Sequence, residues 1–247
     1  MGQVPPISYL MIGNGRLAGH LSHYFDLEKI PHRRWHRRSG NPLEEALAGA
    51  THVLVLISDD AIEPFIRRHG QDPASTWIHC SGSLDTDLAV GVHPLMTFAP
   101  GHYDLATYRR IPFVCDRKGP PFRKLFPGLS NPCFEIDPDK KALYHALCVM
   151  GGNFSTLLWR KVTDTFAREL KLPPEVLHPY MERILENVKI SDAPLTGPLA
   201  RRDMGTIRRN LRALENDSPY EGVYRAFMAT VGIESEGEMQ AAGEGGR

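Results

Sequence analysis

The order of apolar and polar positions predicts strands that alternate with helices in the first half of the chain. Residues 7–12 form a short, mostly apolar run, a glycine-rich turn follows, and Leu17, Leu21 and Phe25 then recur every four residues. This order predicts a strand, a tight turn and a helix. Residues 53–57 are all apolar and rich in β-branched side chains, which is typical of a parallel strand covered on both faces by helices.

Later segments continue the same alternation. We expect a helix over residues 42–50 with Asn41 as its N-cap, and a second helix capped by Asp59 or Asp60. The alternation predicts a Rossmann-like, doubly wound α/β sheet within a first domain of residues 1–137. Further strands are predicted where short apolar segments are bounded by Gly, Pro, Asp or Ser, at 76–80, 89–93, 111–115 and 133–136.

After residue 138 the pattern becomes helical throughout. No proline occurs between Asp139 and Leu172, so one long helix is expected there if Gly151 and Gly152 do not break it. We assign residues 138–233 to an all-α substrate and dimerisation domain, and the Gly- and Glu-rich residues 234–247 to a flexible tail. Further helices are predicted at 174–188, 203–214 and 219–231, with a proline-containing loop at 191–199. An apolar stripe at helical spacing marks the long helix, at Leu143, Leu147, Met150, Phe154, Leu157 and Leu158.

Composition narrows the classes of function. The 29 basic and 29 acidic residues balance, so no global charge draws the protein to nucleic acid or to an anionic membrane. The sequence has no basic start before a secretory apolar run and no apolar stretch long enough to span a membrane. Its four cysteines lie far apart without zinc-ligand spacing, which predicts a reduced, cytoplasmic protein without a metal site.

The glycine-rich turn has the pattern of a dinucleotide-binding loop. Gly13 permits the tight turn, Gly15 lets a pyrophosphate approach the backbone, and Ala18 keeps the helix close to the sheet. The N–H groups at the start of the helix would then face the phosphates. We therefore expect a cofactor to contact the whole loop, which comprises Gly13, Asn14, Gly15, Arg16 and Leu17.

A basic segment stands where NAD-binding domains carry an acidic residue for the ribose 2′-hydroxyl. Arg37, Arg38 and Ser39 are expected at the end of the second strand, where guanidinium groups can bind a 2′-phosphate. This favours NADP(H) over NAD(H). The alternative interpretation is a solvated basic turn that binds nothing.

Four sequence phrases carry a family resemblance, namely LISDDAI at 56–62, HCSGS at 79–83, HPLMTF at 93–98 and LTGPLARRD at 195–203. With them the chain, up to about residue 230, resembles a bacterial two-domain family described as NADP oxidoreductases, whose second half is known only as domain of unknown function 2520. The chain is more distantly similar to pyrroline-5-carboxylate reductases, β-hydroxyacid dehydrogenases and prephenate dehydrogenases. The resemblance implies a reductase with a helical domain that dimerises.

The resemblance also implies positions around the nicotinamide. The turn after the third strand, with Ile57, Ser58 and Asp59, would border the nicotinamide ribose, and Cys80 and Ser81 would run beside the nicotinamide ring. Two positions depart from the related families. The helix segment that carries a catalytic lysine in β-hydroxyacid dehydrogenases offers only Asn153 here, and position 202 is Arg where the family pattern has Gly.

Candidate catalytic and substrate residues follow from the chemistry of reduction. His93 ends a strand on the cofactor side, at the place of a substrate-contacting histidine in prephenate dehydrogenases. It could donate a proton or hydrogen bond to the substrate heteroatom, or it could merely cap the strand, and we give the two roles equal weight. Ser81, Asn153 and Ser83 could orient a polar substrate.

In the helical half, Thr196 and Arg201 could receive a substrate carboxylate, whereas Asp203 is expected to cap the next helix. His20 and His23 lie three residues apart on the first helix and are expected on a solvated face.

Three functions are compatible with these residues. The leading hypothesis is an NADPH-dependent reductase of a small polar carbonyl or imine compound. A non-catalytic NADP(H)-binding sensor or scaffold is the alternative, and a dehydrogenase that runs oxidatively on NADP⁺ would use the same site. For each we expect a homodimer that assembles through the helical domain.

Overall fold

The structure is a computed structural model that describes residues 6–70, 72 and 74–234. It divides into two compact units, the first ending at Lys161 and the second beginning at Val162. The first unit is built around one sheet of seven described strands: β1 (Tyr9–Ile12), β2 (His32–Trp35), β3 (His52–Val55), β4 (Thr76–His79), β5 (Val90–Pro94), β6 (Phe113–Asp116) and β7 (Cys133–Ile136).

The strands lie in the order β2-β1-β3-β4-β5-β6-β7. The first five are parallel to one another, β6 is antiparallel to β5, and β7 is parallel to β6. Helices flank this sheet, so the predicted Rossmann-like α/β class is confirmed. The reversal at β6 was not predicted.

The helices of the first unit are α1 (Arg16–Leu27), α2 (Leu43–Leu47), α3 (Asp59–His69), α4 (Leu105–Arg110), α5 (Phe122–Leu125), α6 (Lys141–Cys148) and the start of α7 (Ser155–Arg168). The second unit contains the rest of α7 and α8 (His178–Ile190), α9 (Gly197–Arg201), α10 (Met204–Ala213) and α11 (Ser218–Thr230). Its small core packs Ile207, Met228 and Ile233 together.

Alternation along the strands builds a separate core on each face of the sheet. Tyr9 and Met11 of β1 pack on one face, against residues of α1, α4 and α5. Leu10 and Ile12 point to the other face, against α2 and α3. Because successive side chains of a strand point to opposite faces, an all-apolar strand buries both. The prediction of doubly covered strands is thus confirmed.

Several details of the helices differ from the predictions. Pro42, not Asn41, is the N-cap of α2, and Ser58 precedes α3, so that Asp59 and Asp60 lie inside its first turn. Helices α4, α5 and α9 were missed because each has only four to six residues, too few for a periodic apolar pattern to emerge.

The expected long helix forms without a break at its two glycines. Helix α6 continues through a π-helical segment, Val149–Phe154, directly into α7. The glycines at 151 and 152 thus fall in the wider turns and not at a helix end. Residues 235–247, which make up the assigned tail except for its first residue, lie outside the described residues. None of the described helices is long and apolar enough to cross a membrane.

Candidate nucleotide and substrate site

A cleft of about 1030 Å³ opens at the carboxyl ends of the first strands of the sheet. This is the edge at which ligands bind in open α/β sheets. Every residue predicted to contact the cofactor lines it except Ser39: Gly13, Asn14, Gly15, Arg16, Leu17, Arg37, Arg38, Ile57, Ser58, Asp59, Cys80 and Ser81.

The glycine loop has the backbone geometry that its pattern requires. Gly13 has a φ of +137°, in the region that favours glycine, and an added Cβ would overlap the carbonyl oxygen of Leu56. Its N–H donates to the carbonyl oxygen of Trp35 at 2.8 Å and so joins the loop to the end of β2. Gly13 therefore serves the fold of the loop itself.

Gly15 has a different role in the same loop. An added Cβ would meet no atom within 4 Å, so its position faces open space above the start of α1. The first bond of α1 runs from the Gly19 N–H to the Gly15 carbonyl oxygen at 3.0 Å, and the preceding amide groups have no partner inside the helix. A helix start with free donors, no acidic residue in its first turn and an open approach fits a pyrophosphate.

The basic turn after β2 lies at one end of the cleft. Strand β2 ends at Trp35, and Arg37 and Arg38 occupy the following turn with both side chains exposed. Ser39 closes this turn, because its Oγ accepts the His36 N–H at 2.7 Å. The arginines are thus available to an anion, while Ser39 is engaged in the turn.

Helix α3 adds two basic residues that were not predicted. Arg68 and His69, near its carboxyl end, line the cleft together with Phe65 and Ala61. These residues follow Ser58 at intervals of three, seven, ten and eleven positions, so a helical-wheel projection from the Ser58 turn would have found them. Arg68 brings a third guanidinium to the cleft that holds Arg37 and Arg38.

A hydrogen-bond network closes the opposite side of the cleft. The hydroxyl of Ser81 donates to Asp59 Oδ2 at 2.5 Å, and the hydroxyl of Ser83 donates to the same oxygen at 3.4 Å. Ser81 Oγ in turn accepts the Leu84 N–H at 3.0 Å. The network fixes the turn after β4, which contains residues predicted to lie near the nicotinamide and the substrate.

Two buried side chains support this turn from below. Burial raises the pKa of the Cys80 thiol to about 12, so Cys80 lines the cleft as a neutral thiol. His79 is fully buried and its Nδ1 accepts the Ser81 N–H at 3.2 Å. Burial, reinforced by Lys141, lowers the His79 pKa to about 4, so this ring is neutral at pH 7.

The candidate donor His93 lies beside the Ser81–Gly82 turn. An added Cβ on Gly82 would lie 3.2 Å from His93 Nε2 and 2.6 Å from the His145 ring, so a side chain at position 82 would displace both histidines. The other ring nitrogen, Nδ1, is 2.7 Å from the hydroxyl of Tyr144 on α6. Sequence reasoning missed Tyr144 because 51 residues separate it from His93.

His93 is a neutral group at physiological pH. Its pKa is lowered to about 4, mainly by burial and also by the nearby His145 and Lys141, while Asp59 acts in the opposite direction. A neutral imidazole can donate one N–H but is a weak acid compared with an imidazolium. The Nδ1 contact is to a side chain, whereas the strand-capping alternative would place a backbone partner there.

A buried ion pair fixes the start of α6 to the sheet. Lys141 Nζ lies 2.8 Å from Asp116 Oδ1 at the end of β6, and both side chains are more than nine-tenths buried. The second carboxylate oxygen accepts the Gly91 N–H of β5 at 2.8 Å. The helix that carries Tyr144 is therefore anchored beside β5, the strand that carries His93.

The remaining candidates lie on other elements. Asn153 is exposed in the π-helical segment, and Thr196 and Arg201 are exposed at the two ends of α9 in the second unit. Asp203 caps α10 as predicted, since its Oδ1 accepts the Thr206 N–H at 3.0 Å.

Arg202, which the resemblance singled out as a departure, has a φ of +53°. This left-handed conformation favours glycine. Its guanidinium lies 3.3 Å from both the Val231 and Gly232 carbonyl oxygens, to which it donates. These bonds join the residue after α9 to the residues that follow α11.

The expectation of a solvated His20 is wrong. Its ring is buried beneath the loop that precedes α4, with Nδ1 2.8 Å from the Tyr108 hydroxyl and Nε2 2.9 Å from the Ala99 carbonyl oxygen. His23 stacks on His102 with ring centroids 4.3 Å apart. Across residues 6–70, 72 and 74–234 no group of three or more His, Cys, Asp or Glu side chains could hold a metal ion.

The fold and the cleft define a Rossmann-like α/β protein with a helical C-terminal region. Residues 116–230 match the family model described as Domain of unknown function (DUF2520). This match confirms the resemblance for the second half of the chain, which includes the phrase at 195–203. A comparison with curated proteins finds no match.

Solved structures share the fold over nearly the whole chain. The crystal structure of "putative NADP oxidoreductase BF3122" from Bacteroides fragilis is similar with a TM-score of 0.75 and 19% identity, covering 91% of this chain and 97% of that one. Protein TM1727 from Thermotoga maritima is similar with a TM-score of 0.64 and 23% identity, covering 90% and 96%. A Plasmodium falciparum pyrroline carboxylate reductase with NADP bound has a TM-score of 0.55 and 14% identity, covering 92% and 96%.

Proposed function

We propose that the chain is an NADPH-dependent reductase of a small polar carbonyl or imine compound. The observation that carries this proposal is the cleft itself, which combines an open glycine loop at a helix start with a basic turn at one end and a histidine beside the other. Similar folds named as NADP oxidoreductase and as NADP-bound pyrroline carboxylate reductase support it.

NADP(H) is the proposed cofactor because the adenosine end of the cleft is cationic. Arg37 and Arg38 are exposed there and Arg68 approaches from α3, so three guanidinium groups are available to a 2′-phosphate. Gly15 would admit the pyrophosphate to the helix start. Ser58, Asp59 and Ser81 would then border the nicotinamide end.

The proposed chemistry joins a hydride transfer to a hydrogen bond. When bound, NADPH supplies the hydride that reduces the carbonyl or imine carbon. His93 donates its N–H to the oxygen or nitrogen on which negative charge develops, and solvent completes the protonation of that atom. A fixed donor aimed at developing charge stabilises the transition state more than the ground state.

The test follows NADPH absorbance in stopped flow with a panel of small carbonyl and imine compounds. Loss of a single donor to a developing oxyanion costs about 10²–10³-fold in turnover. His93→Asn should therefore slow NADPH oxidation by that factor and leave the NADPH dissociation constant unchanged. A wild-type protein that binds NADPH but oxidises it with no compound would contradict the reductase.

That outcome would favour the alternative, a non-catalytic NADP(H)-binding sensor or scaffold. The observation on its side is the π-helical segment Val149–Phe154, whose sequence carries no ionisable side chain where related enzymes have a lysine. Oxidative action is a further possibility for the same site. Production of NADPH from NADP⁺ with alcohols or amines would identify it.

We further propose a homodimer whose interface lies mainly in residues 140–230. The apolar positions of α6, the π-helical segment and α7 are separated by four, three, four and three residues, the spacing of a helix-pairing seam, and their side chains are 49–61% exposed. A second copy of this chain carries the matching seam. These seam residues are Leu143, Leu147, Met150, Phe154 and Leu157.

This assembly gives each part of the chain a proposed role. Residues 1–137 would form the NADP(H)-binding domain and residues 138–233 the substrate and dimerisation domain. We propose the cytoplasm as the compartment, since all four cysteines are free although Cys115 Sγ and Cys133 Sγ lie 2.9 Å apart.

A further inference from the structure

Tyr144 contacts the proposed donor His93 but has no role in the hydride transfer itself. Its hydroxyl lies 2.7 Å from His93 Nδ1, and the two rings meet edge to face with centroids 5.5 Å apart. The residue lies on α6, whose first residue is held to the sheet by the buried Lys141–Asp116 pair. The phenol is therefore presented to His93 from an anchored helix.

We propose that Tyr144 is a positioning residue that holds His93 in the tautomer with its proton on Nε2. In this tautomer the hydroxyl of Tyr144 donates to Nδ1, and Nε2–H faces the Gly82 turn beside the cleft. The His93 ring then offers one neutral N–H donor and no acceptor to the substrate. It selects a substrate whose heteroatom has a free lone pair, such as a carbonyl or a neutral imine, over a protonated iminium.

Hydrogen-bond matching decides between the two tautomers. The thiol of Cys148, one helical turn beyond Tyr144, is close enough to the phenol to raise its pKa. If His93 donated from Nδ1, the strong O–H donor of Tyr144 would be left to the thiol sulfur, which is a weak acceptor. If Tyr144 donates to His93, the strong donor meets the strong acceptor and the weak S–H donor binds the phenol oxygen.

The surroundings of both groups support a neutral pair. Burial, reinforced by Cys148, raises the pKa of Tyr144 above its ordinary value, so the phenol keeps its proton. His145 and Lys141 face His93 and disfavour its cationic form, against the weaker influence of Asp59. His93 is therefore neutral at pH 7. What Tyr144 can determine is which of the two ring nitrogens carries the single proton.

Gly82 permits the geometry on the cleft side. Because a Cβ at position 82 would lie 3.2 Å from His93 Nε2, only glycine leaves this nitrogen accessible beside Ser81. Ser81 lines the cleft, so a substrate held near its hydroxyl would lie on the side of the ring that carries Nε2. The tautomer assignment does not depend on the proposed reductase function. The inferred substrate class does rest on that function.

The test is ¹⁵N NMR of the histidine-labelled full chain at pH 7, with the His93 signals assigned by their loss in His93→Gln. We expect an unprotonated Nδ1 and a protonated Nε2 in the wild type. Tyr144→Phe keeps the ring but removes the hydroxyl, and should shift the tautomer ratio by roughly tenfold, the scale of one hydrogen bond. Cys148→Ala is the matched control and should leave the tautomer unchanged.

A protonated Nδ1 in the wild type, or a ratio that Tyr144→Phe does not move, would overturn the assignment even if the protein reduces substrates. Turnover separates the two proposals. If NADPH is oxidised, Tyr144→Phe should lower kcat without changing NADPH affinity, and the rate with an imine should rise with pH as its neutral fraction grows. A rate that follows the protonated iminium overturns the inferred substrate class.

Discussion

Gly13 packs so closely against Leu56 that a β-carbon at position 13 would overlap the Leu56 carbonyl oxygen, whereas Gly15, two residues later, faces open space. One glycine of the loop is therefore required by the fold and the other is free to serve a ligand. The two alanine variants separate these roles.

Gly13→Ala should lower the free energy of unfolding by roughly 1–3 kcal/mol, because it combines a strained φ with a clash against backbone. Gly15→Ala should leave stability unchanged but weaken NADPH binding at least about tenfold, since the new methyl group would occupy the approach of the pyrophosphate. Thermal unfolding and fluorescence titration measure the two effects. Equal NADPH affinity in Gly15→Ala and wild type would contradict the proposed binding mode.

Cofactor preference depends on the arginines after β2. NADPH should raise the melting temperature of the wild type more than NADH at equal concentration, because the shift grows with the ratio of ligand concentration to dissociation constant. Arg37→Ala/Arg38→Ala should narrow this difference with no loss of intrinsic stability, since both side chains are exposed. Arg67→Ala, an exposed arginine of α3 whose side chain pairs with Glu63, serves as the control. Identical shifts with both nucleotides would refute the role of the arginines.

Acid should destabilise the protein through His79. The unfolded histidine has a pKa near 6.5 and the folded one about 4, so the unfolded state binds more protons between these values. The free energy of unfolding should therefore fall by roughly 3 kcal/mol from this residue as the pH drops from 7 to 4. Urea unfolding across that range measures it. The variant His79→Asn keeps an acceptor for the Ser81 N–H but should lose this contribution to the pH dependence of the free energy of unfolding. The same pH dependence in the variant and the wild type would contradict the assignment.

The Lys141–Asp116 pair should contribute strongly to stability, because removal of one partner leaves a buried charge uncompensated. Lys141→Met is expected to cost about 3–5 kcal/mol in urea unfolding. Lys140→Met alters the neighbouring exposed lysine and should have little effect. Lys141→Met/Asp116→Asn should lose less than the sum of the single variants, since neither charge then remains. Strict additivity would show that the pair is not coupled.

The proposed dimer depends on the exposed seam of the long helix. Leu147→Glu/Phe154→Glu should convert a dimer to a monomer in light scattering at micromolar concentration, because it places charges in an apolar contact. Ala146→Glu adds a charge to an exposed position of α6 off the seam and should leave the dimer intact. A wild-type protein that is monomeric at this concentration would rule out the assembly.

Local patterns were sufficient for the parts of the fold that have local causes. The β1–α1 glycine loop was predicted because its strand, turn and helix follow one another within twenty residues. Strand β2 was placed only by its position in the unit, since Trp35 is its sole apolar side chain and the structure leaves the strand half exposed. The reversal of β6 was not predictable, because strand direction depends on the path of the connection and not on the pattern of the strand.

Long-range contacts account for the errors in the candidate site. By its sequence neighbours His20 resembles a solvated helix residue, but its ring is buried and its partners are distant: the Ala99 carbonyl oxygen in the loop before α4 and the Tyr108 hydroxyl in α4. Tyr144 was counted only as part of a helix, although it contacts His93 across 51 residues. In both cases a distant segment decides the environment, which no periodicity in the helix itself can indicate.

The ion pair at the start of α6 also determines where this chain can be divided. Its carboxylate belongs to the last residue of β6, but its ammonium group belongs to residue 141, beyond the end of the sheet. A fragment that ends at residue 137 would keep all seven described strands, but the buried Asp116 carboxylate would lose the ammonium group that neutralises it. Fragments, fusions or circular permutants designed to isolate the nucleotide-binding part should therefore retain α6 through Cys148.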